Sequence, residues 1–175
     1  MKGSRVILSL LFPKIYLKSI THITPAMLGR LKIRGLILDV DNTLTTHDNP
    51  TPDHKVLSWL EIMRSHDIGM IILSNNRPAR VSAFAQLLGM DFVAKAGKPK
   101  PGGFRQAAGR LGLSKVDVAV VGDQIFTDIL GGNIWGATTI LVKPMELEIT
   151  RFFRLKRRLE RDILKSYRKN RQGGV

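Results

Sequence analysis

Four short stretches of this 175-residue chain hold carboxylates, a lysine and a hydroxyl at spacings that could converge on one site. In chain order they are Asp39-Val40-Asp41-Asn42-Thr43-Leu44, Ser74-Asn75-Asn76, Lys98-Pro99, and Gly122-Asp123 with Thr127-Asp128 close behind. Crowded carboxylates repel each other, and a hard cation is the simple way to stabilise them. An all-oxygen donor set suits magnesium, which keeps several waters and takes one or two carboxylates beside a substrate phosphate. A lysine and a serine hydroxyl at the same mouth would bind phosphoryl oxygens. Two aspartates two residues apart can divide the work. One attacks phosphorus, and the other protonates the leaving group and then deprotonates the attacking water.

Taken alone, Asp-x-Asp is weak. The same spacing holds a metal beside a nucleotide sugar in glycosyltransferases, and often it is only an acidic turn. The order of the other three stretches narrows the reading, because each follows an apolar run that reads as a strand. Leu36-Ile37-Leu38, Met70-Ile71-Ile72-Leu73, Phe92-Val93, Val116–Val121 and Thr138–Val142 are short and apolar, as buried parallel strands are. Helical patterns separate them over Pro52–Asp67, Pro78–Leu88, Gly103–Leu111 and Asp128–Gly136, with Pro or Gly marking several ends. Such alternation predicts an open α/β, Rossmann-like doubly wound parallel sheet with helices on both faces. In sheets of that kind, ligands bind outside the carboxyl ends of the strands, which is where the four stretches fall.

On these motifs the chain resembles the phosphatases of the haloacid-dehalogenase-like (HAD) superfamily over roughly residues 20–145. The Asp-x-Asp-Asn-Thr-Leu wording and the short spacings are similar to subfamily IIIA. Within it the likeness is to the branch of YqeG-type proteins and phosphatidylglycerophosphate phosphatases. The resemblance implies a magnesium-dependent phosphomonoesterase that works through an aspartyl-phosphate. Asp39 would be the nucleophile and a magnesium ligand, and Asp41 the acid/base with its backbone carbonyl on the metal. Ser74 and the Asn75 amide would hold phosphoryl oxygens, and Lys98 would offset charge between nucleophile and phosphate. Asp123 would ligate magnesium directly, and Asp128 through water or by orienting the loop. Only one helix fits between Leu44 and Met70, and one helix with a short strand between Asn76 and Lys98, so no cap domain is expected. An open, capless site suits a phosphate on a large or surface-bound substrate.

Each residue also has a plainer reading. Ser74 or Asn75 could cap the helix beginning near Pro78, and Lys98, flanked by Lys95 and Lys100, could be a solvated loop charge. Asp128 could be an acid favoured at a helix N-terminus. Asn76 and Arg77 border the mouth, where contact with substrate and a surface role remain open. His22, His47, His54 and His66 show no ligand spacing, and Trp59 and Trp135 read as core.

Composition bounds the rest. One well-buried domain fits this length, and 43% apolar residues can fill its core. No cysteine is present, so disulfides and thiolate chemistry are excluded. The net charge of +14 resides at the ends: residues 1–34 carry seven Lys/Arg and no acid, and residues 151–175 carry ten against Glu160 and Asp162. This divides the chain into a basic, apolar N-terminal arm over 1–34, a phosphatase-like core over 35–146, and a basic amphipathic helix over 147–175. The run Val6–Phe12 stops at Pro13-Lys14 with no cleavage site and falls far short of the roughly 20 residues a span needs. A cytoplasmic protein is expected, peripheral on the inner face of the membrane. In the tail, Phe152, Leu155, Leu159, Ile163 and Tyr167 form one stripe amid arginines and lysines, the pattern of a helix in a lipid interface. Ile15-Tyr16-Leu17 could add apolar anchoring. The stripe could equally pack on the domain. The expected substrate is phosphatidylglycerophosphate or a similar anionic phospholipid. The alternatives are a soluble phosphatase for a nucleic-acid end, a phosphoprotein or a sugar phosphate, or an RNA- or ribosome-associated protein.

Overall fold

The computed structural model describes residues 8–46, 49–146 and 151–172, with side chains in the last segment described for 158–168. Val6, Ile7 and His47, and the side chains of Arg151, Phe152, Arg154, Leu155 and Arg157, lie outside the described residues.

Six parallel strands form one sheet: β1 (Ile15–Leu17), β2 (Gly35–Leu38), β3 (Gly69–Leu73), β4 (Asp91–Val93), β5 (Val118–Gly122) and β6 (Thr138–Val142). Their spatial order is β1-β6-β5-β2-β3-β4. The chain runs outward from β2 to β3 and β4, then returns to the other side of β2 as β5 and β6. The strand order therefore reverses at β2, and a crevice opens there beyond the carboxyl ends. The central strands are buried along their whole length, which is why they read as unbroken apolar runs.

Helices cover both faces. On one lie α1 (Pro25–Arg30), α2 (His54–Ser65) and α3 (Pro78–Leu87). Val56, Trp59, Leu60 and Met63 of α2 join Val81, Phe84 and Ala85 of α3 against Leu36, Leu38, Ile72 and Val121. The other face carries α4 (Pro101–Arg110) and α5 (Leu130–Trp135). There Phe104, Ala107 and Ala108 pack on Ile37, Ile71, Val118 and Val120. No cap domain interrupts the core: α2 is the one helix between Leu44 and β3, and α3 with β4 precede Lys98.

Beyond the predicted strands, the sheet takes in Ile15–Leu17 from the segment read as an arm. It pairs along β6 through Ile15–Ile140 and Leu17–Val142. The α1 segment begins on a Thr24 side-chain cap and Pro25, and Trp59 Nε1 donates to Ile23 O at 2.8 Å, fixing this region to α2. The helix predicted from Asp128 starts earlier, as a π-helical turn over Ile125–Ile129 that runs into α5. A last helix, α6, spans Arg151–Gln172. Ile163 and Leu164 pack against Ile125, Ile129 and Leu141, Tyr167 is buried edge-on to Phe12, and Leu159 of the predicted stripe is exposed. Among the described residues, no helix is long and apolar enough to cross a membrane.

Phe104 is fully enclosed and stacks on Trp135, with ring centroids 6.2 Å apart. Phe104→Ala is expected to destabilise the fold by about 3–5 kcal/mol in urea denaturation; a loss below about 1 kcal/mol would show that this face is not a packed core.

Candidate active site

The backbone between β2 and α2 makes a tight turn just past the sheet. Leu44 and Thr45 N–H groups donate to Val40 O, and Asn42 N–H donates to Thr45 O at 2.7 Å. Asn42 takes a positive φ of 60°, which asparagine tolerates better than most residues. The turn leaves Asp39 at the end of β2, its N–H bound to Val121 O, with Asp41 on the rim.

Parallel pairing continues past the ends of β3 and β4. Ser74 N–H donates to Val93 O, Ala96 N–H to Ser74 O, and Lys95 N–H to Asn76 O, each at 3.0 Å. Asn75 then clamps the next loop: its Oδ1 accepts from Lys98 N–H at 2.8 Å, and its Nδ2 donates to Lys98 O at 3.1 Å. The clamp points Lys98 inward. Its Nζ donates to Asp39 Oδ1 at 2.6 Å, Asp128 Oδ1 at 2.6 Å and Leu73 O at 3.0 Å. All three ammonium protons are thus used at a buried position, and the solvated-loop reading of Lys98 falls away.

Asp123 follows β5, and Asp128 comes back to it on the π-helical turn. Gly122 makes room: a Cβ there would run into the Asp128 carboxylate. Asp39, Asp123 and Asp128 bring carboxylate oxygens within 4.8 Å of one another. Three carboxylates against the Lys98 ammonium leave a formal excess of two negative charges. Burial raises the Asp39 pKa from 3.8 to about 7 against the lowering pull of Lys98, with Asp128 and more weakly Asp41 adding to the rise. Burial alone would lower the Lys98 pKa, but Asp128 and Asp39 outweigh it and hold the ammonium protonated. A buried, all-oxygen, net-negative cluster fits a hard divalent cation.

The Asp41 carboxylate stands apart from this cluster. Asn76 Nδ2 donates to its Oδ2 at 2.6 Å, and Arg80 donates to its Oδ1 at 2.5 Å. The sequence reading missed Arg80. The available signal was its place one turn into the helix that follows Ser74-Asn75-Asn76. Neither Ser74 nor Asn75 caps α3, whose first-turn position falls to Arg77 without a side-chain bond. Ser74 Oγ instead accepts from Asn76 N–H at 3.2 Å. Asp39, Ser74, Lys98, Asp123 and Asp128 are buried, Asp41 is half-buried, and Asn75 is exposed. The histidines His22, His54 and His66 take no part in the site.

Beside Ser74 and Asn76 a cleft of about 690 Å³ extends along α3. Its lining includes Arg80, Asn49 and Thr51 together with the apolar side chains of Val81, Ala83, Phe84 and Leu87.

A HAD-hydrolase-like family model matches residues 95–144, the stretch that holds Lys98, Asp123 and Asp128. The chain is 40% identical over 157 residues to a probable phosphatase of Bacillus subtilis, YqeG, covering 90% of this chain and 91% of that protein. It is 26% identical to the chloroplastic/mitochondrial phosphatidylglycerophosphate phosphatase 1 of Arabidopsis thaliana, across 89% of this chain and 47% of that one. Among solved structures, the cobalt-bound deoxy-D-mannose-octulosonate 8-phosphate phosphatase of Haemophilus influenzae superposes with a TM-score of 0.52. That likeness covers 83% of this chain and 96% of the other at 15% identity, and it speaks to the fold. With the motif-bearing strand ends in place and a full-length relative at 40% identity, the chain belongs to the HAD superfamily and, within it, to the YqeG-type phosphatases.

Proposed function

We propose that the protein hydrolyses phosphomonoesters by way of an aspartyl-phosphate on Asp39, with Mg²⁺ as its cation. The observation that carries this reading is the meeting of Asp39, Lys98, Asp123 and Asp128 beneath the rim carboxylate of Asp41. In the first step an Asp39 carboxylate oxygen forms a bond to phosphorus as the ester bond breaks, and Asp41 gives its proton to the departing oxygen. In the second, Asp41 takes a proton from water as that water attacks phosphorus and frees Asp39. Ser74 Oγ and the Asn75 amide would hold the equatorial oxygens. Lys98 keeps the nucleophile from being repelled by the incoming anion. Asp39, Asp123, Asp128 and the Asp41 carbonyl would hold Mg²⁺, which would supply charge stabilisation to the phosphoryl group. Asn76 and Arg80 fix the position of the Asp41 side chain at the rim, which proton transfer to and from the reacting oxygens requires.

For the substrate we propose phosphatidylglycerophosphate or a similar lipid phosphate met at a membrane surface. Three observations support it. The site is capless, and the cleft beside it is lined by both polar and apolar side chains, as an amphiphilic ester needs. A relative is named for that activity. Arg158, Arg161 and Lys165 are exposed on α6 with Leu159 among them.

Asp39→Asn is expected to lower magnesium-dependent phosphate release by about a thousandfold or more with the circular dichroism spectrum unchanged; retained turnover would sink the nucleophile assignment. Among phosphomonoesters, phosphatidylglycerophosphate is expected to be turned over most efficiently, and a preference for a nucleotide or sugar phosphate contradicts the lipid reading.

The raised Asp39 pKa also fixes a sign. A carboxyl that binds its proton more tightly when folded contributes stability present below its unfolded value near 3.8 and lost as pH rises through about 7. Mg²⁺ binds the ionised form, so its stabilisation grows over the same window. Melting temperatures with and without Mg²⁺ should differ more at pH 8 than at pH 5.5; an equal or reversed difference contradicts the cation site.

Arg158, Arg161 and Lys165 changed to Gln should weaken partitioning onto phosphatidylglycerol vesicles about a hundredfold, at about 1 kcal/mol for each charge near the surface. Flotation that is unaffected, or wild-type protein that stays off the vesicles, removes the membrane assignment.

A further inference from the structure

Helix α6 carries two acids among ten basic residues, and one of them is buried where no basic surface calls for it. Glu160 is 4% exposed, while Asp162 pairs at the surface with Lys165. A carboxylate taken from water needs hydrogen-bond donors. Glu160 Oε1 accepts from Ile125 N–H at 2.8 Å, across 35 positions in sequence.

Ile125 opens the π-helical turn, and its neighbour Gln124 provides no side-chain cap. The first N–H groups of a helical turn lack partners within it and favour a negative group nearby. Glu160 supplies that group from another helix. The capped N–H lies two residues after Asp123 and three before Asp128. Inside the turn, Asp128 N–H donates to Gln124 O at 3.0 Å, and Asp128 Oδ2 accepts from Gln124 N–H at 3.3 Å. One turn further along the same face of α6, Ile163 and Leu164 pack against Ile125 and Ile129. So α6 holds both the polar start and the apolar side of the turn that presents Asp128 to Lys98.

We propose that α6 is a working part of the active site and that Glu160 is its positioning residue, fixing the Asp123–Asp128 turn so that the cluster binds a divalent cation tightly. The proposal rests on Asp123 and Asp128 being cation ligands, as read above. The basic exposed face of the helix and its buried acid then have separate tasks.

The test is Mg²⁺ titration of full-length protein by calorimetry without substrate, joined to kcat measured at limiting and saturating Mg²⁺. Glu160→Ala is expected to weaken Mg²⁺ binding about tenfold and to lower turnover far more at limiting than at saturating cation. Glu160→Gln, which keeps an acceptor oxygen, should stay within about threefold of wild type. Ile163→Ala loosens the same docking without unpairing a buried N–H, and about threefold weaker binding is expected even if Glu160→Ala does not fold. Asp162→Asn should leave affinity unchanged. Wild-type affinity in folded Glu160→Ala or in Ile163→Ala overturns the proposal. Wild-type protein that binds no Mg²⁺ overturns the cation assignment itself and this proposal with it, a failure distinct from unaffected variants.

Discussion

One buried ammonium holds the site together. Lys98 Nζ ties the end of β2, through Asp39, to the turn after β5, through Asp128, and it rests on the last carbonyl of β3. Three strands are thereby joined at the point where the strand order reverses. Breaking a buried pair leaves an uncompensated charge and costs several kcal/mol. Each partner therefore constrains the others. Asn75 exists in this scheme to deliver Lys98, Gly122 to admit Asp128, and Glu160 to hold the turn from which Asp128 reaches in.

The same ammonium leaves the charge balance incomplete, and this connects structure to chemistry. Three carboxylates share one cation, and burial first, then the neighbouring carboxylates, raises the proton affinity of Asp39, the proposed nucleophile, which would have to be ionised to attack. A divalent ion would settle that balance and pull Asp39 into its reactive form, so one requirement serves folding and catalysis. Asp41 adds least to that rise, and Asn76 and Arg80 hold it outside the cluster. Two aspartates two residues apart thus meet different surroundings, as the proposed division between attack and proton transfer requires.

The legible part of the sequence was the part governed by burial on both faces. β2, β3, β5 and β6 showed as apolar runs because nearly every side chain along them is enclosed, and the motif residues were legible because each follows an apolar run. β1 escaped notice: it has three half-buried residues at a sheet edge, and such a run reads the same as an apolar surface segment. α1, six residues long, is too short to show a period, although Thr24-Pro25 carried a start signal. The tail stripe was visible, but periodicity cannot say what an apolar face meets. Ile163 and Tyr167 meet the domain, whereas Leu159 does not. Arg80 and Glu160 act through contacts across 39 and 35 positions; Arg80 is marked only by its place in the helix after Ser74-Asn75-Asn76, and nothing local marks Glu160.

The central claim is that phosphate passes through Asp39 on its way to water. It is tested most directly by acid-quenching the enzyme during turnover and locating the transferred group by peptide mass spectrometry. One phosphoryl group is expected on the peptide containing Asp39, appearing before free phosphate and vanishing as substrate runs out. Free phosphate accumulating with no phosphorylated peptide, or with the group on any other residue, would contradict it.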